Sequence, residues 1–175
     1  MKIIFLLLML FITSCHYSKN EDPSEPTKQS LTTEVLNQTI LELRKEKGLC
    51  AYGYGGRMMH QIARLSLDFN YYNEIDINEA RELLMTSGRV FLNNVNSNEL
   101  IPPFLQNYPF EPENIEVAIY VRKPNGRQPD SDKLAIVTLI DGVLKYKIMP
   151  DEYSLETIYH ETFEEAQSKL QVANK

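Results

Sequence analysis

Residues 134–149 read LAIVTLIDGVLKYKIM, and they carry the clearest indication of the fold in the chain. Residues 134–140 are nearly all apolar, as expected of an inner strand. Asp141-Gly142 is a favoured pair for a two-residue hairpin turn. In residues 143–149 the apolar residues alternate with lysines, which indicates a strand with one buried face. The sequence therefore predicts a β-hairpin.

Two earlier segments have the same period of two. Residues 115–121 read IEVAIYV, and residues 65–71 read LSLDFNY, so that apolar and polar or small side chains alternate in both. Each segment is predicted to form a strand with one buried face.

Three helices are predicted from apolar residues at helical spacing. The first covers residues 30–47 and ends at Gly48, a residue that commonly terminates helices. The second covers residues 76–95, and it begins with the D-x-x-E variant of a capping box. The third covers residues 154–170, with Ser154 as its N-cap.

The predicted order is α-β-α-β-β-β-α, an α+β fold. We expect a mainly antiparallel, four-stranded sheet with the helices packed on one face. The other face, which carries Tyr120, Lys145 and Lys147, would contact solvent or a partner. Residues 31–175 are long enough to form a single domain with its own core.

A glycine-rich segment lies between the first predicted helix and the first predicted strand. Residues 48–56 contain four of the seven glycines of the chain. Neither phosphate-binding glycine motif occurs here, so the segment is predicted to reverse the chain tightly. Tyr52 and Tyr54 flank glycines and could stack on a sugar or a peptide, and with Arg57 they are the candidate contacts for a ligand or partner.

Catalytic and metal motifs are weak in this sequence. Cys50 and His60 could form a thiolate–imidazole pair if the fold brought them together, which makes a small hydrolase or thiol enzyme the alternative function. His160 and Glu164 stand at the two ligand positions of an H-E-x-x-H zinc helix, but the second position requires histidine. We therefore assign no catalytic residue, and we predict neither a bound metal nor a cofactor.

The charge balance argues against a nucleic-acid partner. The chain of 175 residues has 18 Lys and Arg and 24 Asp and Glu, giving a net charge of −6. Neutralising a phosphate backbone requires clustered cations, which the sequence does not show.

The N-terminal residues 1–15 read MKIIFLLLMLFITSC. A lysine, a ten-residue apolar run and two small residues before a cysteine form the pattern of a secretory signal peptide. With the cysteine directly after the small residues, the segment resembles the lipobox of bacterial lipoproteins. The resemblance covers residues 1–15 only. It implies removal of residues 1–14 and lipidation of Cys15, including palmitate-type acylation.

Residues 15–30 contain two prolines and many polar residues, as a flexible tether would. The expected product is a cell-envelope lipoprotein whose small domain binds or scaffolds an envelope protein or glycan. His16 follows the cysteine where proteins retained at the inner membrane often carry Asp. The family analogy therefore favours the periplasmic side of an outer membrane in a cell with two membranes. If Cys15 is not acylated, a Cys15–Cys50 disulfide is allowed instead.

Overall fold

The computed structural model describes residues 26–173. The predicted signal peptide, Cys15 and most of the predicted tether lie outside the described residues. The described chain contains three α-helices and six strands, with two short 3₁₀ turns at residues 102–104 and 112–114. In chain order they are α1 (Lys28–Lys47), β1 (Cys50–Arg57), β2 (Arg64–Tyr71), α2 (Ile77–Asn96), β3 (Ile115–Val121), β4 (Leu134–Ile140), β5 (Val143–Asp151), β6 (Ser154–Thr162) and α3 (Phe163–Ala173).

The strands form one mixed sheet in the spatial order β1-β2-β3-β4-β5-β6. Four neighbouring pairs are antiparallel, and the pair β2–β3 is parallel. The connection between β2 and β3 contains α2, because parallel neighbours require a crossover. The α+β prediction is confirmed, and the sheet is mainly antiparallel as predicted, although it contains one parallel pair. The predicted number of four strands was wrong, because the sheet has six.

The predicted hairpin at residues 134–149 is confirmed. Asp141 and Gly142 both adopt positive φ, at 51° and 70°, as the tight two-residue turn requires. Ile140 pairs with Val143 directly across the turn.

The helices cover one face of the sheet, which carries the buried apolar residues. These residues are Leu65, Leu67, Phe69, Ile115, Val117, Ile119, Val121, Val137, Leu139, Leu144 and Tyr146. Gly88 lies on α2 where it packs most closely against this face. A Cβ at Gly88 would lie 2.9 Å from Leu139 Cδ2 and 3.2 Å from Phe163 Cε2.

The glycine-rich segment was predicted as a tight reversal and is instead an edge strand. Residues 50–57 form β1, which pairs antiparallel with β2. Glycine is depleted in strands, so its composition does not predict one. The register shifts between Ala51 and Gly53, and a bulge of this kind is common in edge strands.

The third predicted helix was wrong in its first half. Residues 154–162 form β6, and α3 begins only at Phe163. Asp151 accepts hydrogen bonds from the backbone N–H of Tyr153 (2.9 Å) and from the Ser154 hydroxyl (2.7 Å), which closes the turn from β5 to β6. The Ser154 side chain is therefore part of a hairpin turn and does not cap a helix.

The other two helices have well-formed ends. α1 begins at Lys28, earlier than predicted, because Thr27 and Ser30 form a reciprocal capping box. Gly48 ends it with φ at 69°, as predicted. The predicted capping box of α2 is confirmed, since Asp76 accepts from the N–H of Glu79 and the Glu79 carboxylate accepts from the N–H of Asp76, both at 2.9 Å.

A buried charged cluster joins α2, β5, β6 and α3. Glu161 is 2% exposed and accepts hydrogen bonds from Arg81 Nε (2.7 Å), the Tyr146 hydroxyl (2.6 Å) and Lys169 Nζ (2.7 Å). Burial alone would raise the pKa of Glu161, but these three donors outweigh burial and hold it below its ordinary value. The cluster fixes the last helix to the sheet.

Within residues 26–173, none of the helices combines the length and apolar character needed to cross a membrane.

Candidate functional site

The sheet face that points away from the helices is the candidate functional surface. We call it the open face. Its side chains alternate with those of the buried face, and strand register places neighbours side by side. It carries Tyr52, Arg57, Arg64, Ser66, Asp68, Asn70, Glu116, Ala118, Tyr120, Arg122, Ile136, Thr138, Ile140, Lys145, Lys147 and His160.

Glycines of β1 leave the neighbouring side chains of β2 uncovered. Gly53 pairs with Asp68 and Gly55 pairs with Ser66. A Cβ at Gly53 would lie 3.4 Å from Asp68 Oδ2, and one at Gly55 would lie 3.2 Å from Ser66 Oγ. The two glycines therefore form the floor of a groove, and the polar side chains of β2 form its wall. We call this feature the glycine groove.

The wall of the glycine groove consists of Ser66, Asp68 and Asn70, which are all half-buried. Within residues 26–173 these three side chains make no hydrogen bond to protein. Burial raises the pKa of Asp68, and the negative charge of nearby Glu116 raises it further. A half-buried carboxylate with no donor from the protein can accept hydrogen bonds from a ligand.

Two tyrosines lie at one end of the groove. The Tyr52 and Tyr120 ring centroids are 5.6 Å apart with an interplanar angle of 61°, an edge-to-face arrangement. Tyr52 is 70% exposed. The Arg122 guanidinium lies 5.8 Å from the centroid of the Tyr120 ring. Burial raises the pKa of the Tyr120 phenol, and the charge of Asp68 adds to the effect. The phenol therefore stays protonated at neutral pH and can donate a hydrogen bond.

A cleft of about 370 Å³ lies at the other end of the groove. It is lined by Gly56, Arg57, Arg64, Ser66 and Glu116. Arg64 is fixed by ion pairs with Glu116 (2.6 Å) and Asp141, and the hydrogen bond to Glu116 is the main reason that its pKa is raised. The Arg57 side chain is exposed and adds a cation beside the cleft.

The open face is cationic although the chain is acidic. Arg57, Arg64, Arg122, Lys145 and Lys147 lie on it. Within residues 26–173 the carboxylates that lie on this face or pair with its cations are Asp68, Glu116 and Asp141, which leaves a net charge of +2. Lys145 pairs with His160 across β5 and β6, which adds an imidazole side chain to this face. The net charge of the whole chain is −6. This face is therefore locally positive in a chain that is negative overall.

The sequence-predicted contact residues divide between the two faces. Tyr52 and Arg57 lie on the open face. Tyr54 pairs with Leu67, so it points to the helix side, where it is 68% exposed. The open-face positions Tyr120, Lys145, Lys147 and Asp68 follow directly from strand alternation, whereas the groove beside Asp68 could be recognised only after β1 was identified as a strand.

The structure does not bring the candidate thiolate–imidazole pair together. Cys50 is the first residue of β1, and His60 lies beyond its last residue, Arg57. At about 3.3 Å per residue, an extended strand of this length separates them by roughly 20 Å. The Cys50 thiol contacts the carbonyl oxygen of Gly48 at 3.9 Å. General-base contact requires about 3 Å, so this geometry cannot perform the proposed chemistry.

The second weak motif is split between two elements. His160 lies on β6 and Glu164 on α3, so they do not share a helix face. Within the described residues, no group of three or more His, Cys, Asp or Glu side chains is placed to hold a metal ion.

Comparison with known proteins gives no relative. No protein-family model, curated protein or solved structure matches the chain. The open face and the N-terminal sequence are therefore the features of the chain that bear on its function.

Proposed function

We propose that this protein is an exported, lipid-anchored binding module of the bacterial cell envelope, with Cys15 as the lipidated residue and the open face as its binding surface. The observation that carries the binding role is the uncovered polar wall of the glycine groove. Ser66, Asp68 and Asn70 are partly desolvated and make no hydrogen bond to protein within residues 26–173. A partner would supply hydrogen bonds that the fold does not.

The anchor is proposed from the sequence of residues 1–15 and from the polar tether that follows. A lipid on Cys15 would hold the domain at the membrane, since two or more acyl chains anchor stably. With His16 after the cysteine, we place the protein on the periplasmic side of the outer membrane in a cell with two membranes. Its partner there is an envelope protein or a glycan, and we propose no nucleic-acid partner.

The anchor is tested by measuring the intact mass of the protein from its native membrane. We expect the mass of a chain that begins at Cys15 and carries acyl groups. Cys15→Ala should lack the acyl mass and leave the membrane fraction. An unmodified mass, or unchanged membrane retention of the Cys15→Ala variant, would refute the anchor.

The binding role is tested by cross-linking in the intact envelope. A photoreactive phenylalanine replaces Asn70 on the open face, and in a matched variant it replaces Leu41, an exposed residue of α1 on the helix side (66% exposed). We expect a discrete adduct from position 70 and none from position 41. The binding role is refuted if position 70 gives no adduct, or if both positions give the same adducts.

A further inference from the structure

We propose that the open face binds an anionic polysaccharide, with sugar rings packed on Tyr52 and Tyr120 and acidic groups beside Arg122, Lys145 and Lys147. The acidic groups are carboxylates or phosphates. This inference rests on the proposed binding role and adds the chemical class of the partner.

Charge complementarity selects an anionic partner. Arg57, Arg122, Lys145 and Lys147 lie on the open face and make no ion pair within residues 26–173. An acidic chain that collects such cations on one face creates a local positive potential, which attracts anions and raises their association rate. Among residues 26–173, Asp68 is the one carboxylate of this face that no cation pairs with, so the acidic groups of the ligand must avoid the groove centre.

Hydrogen-bonding chemistry favours a glycan over an acidic peptide. Asp68 requires donors, while Asn70 and the Ser66 hydroxyl can both donate and accept. Each sugar ring carries several hydroxyl groups that donate and accept hydrogen bonds, so a glycan can bond to all three of these closely spaced side chains. An extended peptide offers only one donor and one acceptor per residue on its backbone. The exposed ring of Tyr52 adds an apolar surface for the C–H face of a sugar.

Strand register gives the length and direction of the site. Asn70 pairs with Tyr120, Tyr120 with Ile136, and Ile136 with Lys147. With Tyr52 on β1, these residues form one row across five strands, which spans about 19 Å at the usual strand spacing. The row passes from the aromatic end to the cationic end of the open face. A short oligosaccharide that lies across the strands would contact both ends.

Gly53 keeps the glycine groove beside this row accessible, because it pairs with Asp68, two positions from Asn70 on β2. It lies beside Asp68, and a valine there would fill the groove next to the carboxylate. Valine suits a strand better than glycine does, so Gly53→Val should fold. Ala51→Val is a matched control, because Ala51 is an exposed residue of the same strand on the helix side, where it pairs with Phe69.

The experiment measures the affinity of the protein, extracted from its native membrane in a nonionic detergent, for defined polymers. The probes are polygalacturonate, its methyl ester, a phosphomannan, poly-L-glutamate and vesicles of an anionic phospholipid. We expect polygalacturonate or the phosphomannan to bind at least about tenfold more tightly than the methyl ester, poly-L-glutamate and the vesicles. Comparison of polygalacturonate with the phosphomannan distinguishes carboxylate from phosphate as the acidic group.

Variants locate the binding. Tyr52→Ala and Gly53→Val should each weaken the glycan complex about tenfold. Lys147→Gln should weaken it about threefold to fivefold, as expected for the loss of one half-buried charge at the surface. Ala51→Val and Lys45→Gln, an exposed cation on α1, should change it less than about twofold.

Three results would overturn the inference. They are equal or tighter binding of poly-L-glutamate or the vesicles, unchanged glycan binding by Tyr52→Ala and Gly53→Val, and no binding of either anionic glycan. None of them removes a cross-link from position 70, so the proposed binding role can survive a failure of the glycan assignment. A missing cross-link together with missing glycan binding would refute both.

Discussion

Arg81 on α2 and Glu161 on β6 form a buried ion pair, with Arg81 Nε 2.7 Å from Glu161 Oε1. The two residues are 80 positions apart in the sequence. Their side chains are 9% and 1% exposed, respectively. Arg81 also donates to Asn78 Oδ1 at 2.7 Å, and Glu161 accepts from two further groups. The ion pair therefore connects α2, the helix of the β2–β3 crossover, to β6 at the edge of the sheet.

Glu161→Gln should strongly destabilise the domain. The substitution leaves the guanidinium of Arg81 in the core without its counter-charge, and breaking a buried pair in this way costs about 3–5 kcal/mol in the free energy of unfolding. Urea unfolding followed by circular dichroism measures the change. Lys169→Gln is the control, and its effect should be much smaller, because the Lys169 side chain is 45% exposed and water can replace it. Equal losses from the two variants would contradict this assignment.

The same pair predicts a specific response to acid. The pKa of Glu161 is lowered on folding, so its ionised form contributes stability that is present at neutral pH and lost as pH falls through the folded-state pKa. The stability difference between the wild type and Glu161→Gln should therefore begin to shrink as pH falls below the ordinary carboxyl pKa of about 4, where the unfolded chain takes up the proton before the folded chain does. Urea titrations at a series of pH values test this. A difference that stays constant down to pH 2 would show that charge does not stabilise the pair.

Strand periodicity and caps made much of the fold predictable. Residues 115–121 show strand alternation, residues 134–149 contain a favoured hairpin turn, and Asp76 and Glu79 form a capping box. Each of these patterns depends on a few consecutive residues, so it can be recognised without knowledge of the tertiary contacts. This is why β2 to β5 and the first two helices were predicted.

The two edge strands were missed for different physical reasons. β1 contains Gly53, Gly55 and Gly56, whose intrinsic preference is against strands, and only pairing with β2 holds them extended. In β6, Leu155, Ile158 and Tyr159 fit helical spacing, but Leu155 and Ile158 are each 44% exposed at the sheet edge. Their spacing thus does not reflect a buried helical face. The glycine groove is formed by residues of β1, so it could not be predicted from the sequence until β1 was known to be a strand.

Substitutions within β1 should distinguish Gly56, which is required for packing, from Gly53, which lies in the glycine groove. Gly56→Ala should lower stability by about 1–3 kcal/mol, because its Cβ would overlap the Arg64 backbone oxygen and crowd Leu65, and a backbone cannot rotate away. Gly53→Ala should be neutral or slightly stabilising, since its Cβ makes only ordinary contact with Asp68 and the unfolded chain loses freedom. Thermal unfolding of both variants compares them directly. A larger loss at Gly53 than at Gly56 would contradict the packing of this strand.

Asp68→Asn should raise the stability of the domain at neutral pH, although it removes a residue of the groove. Burial and the charge of Glu116 raise the pKa of Asp68, so ionising this carboxyl costs more in the folded chain than in the unfolded chain. The cost is present at pH above the folded-state pKa and disappears at pH below about 4, where the carboxyl is protonated in both states. The neutral amide avoids the cost, so the melting temperature of Asp68→Asn should exceed that of the wild type at pH 7 and match it at low pH.

Glu34→Gln on α1 is the control for Asp68→Asn, because Glu34 is an exposed carboxylate on the helix side and its removal should leave the melting temperature nearly unchanged. The effect of Asp68→Asn on glycan binding should be the opposite of its effect on stability, because the substitution should weaken binding while it stabilises the fold. A charged residue that lowers the stability of the fold but strengthens ligand binding is typical of a functional position. If Asp68→Asn lowers the melting temperature at pH 7, the carboxylate has a structural partner, and the case for an uncovered groove wall fails.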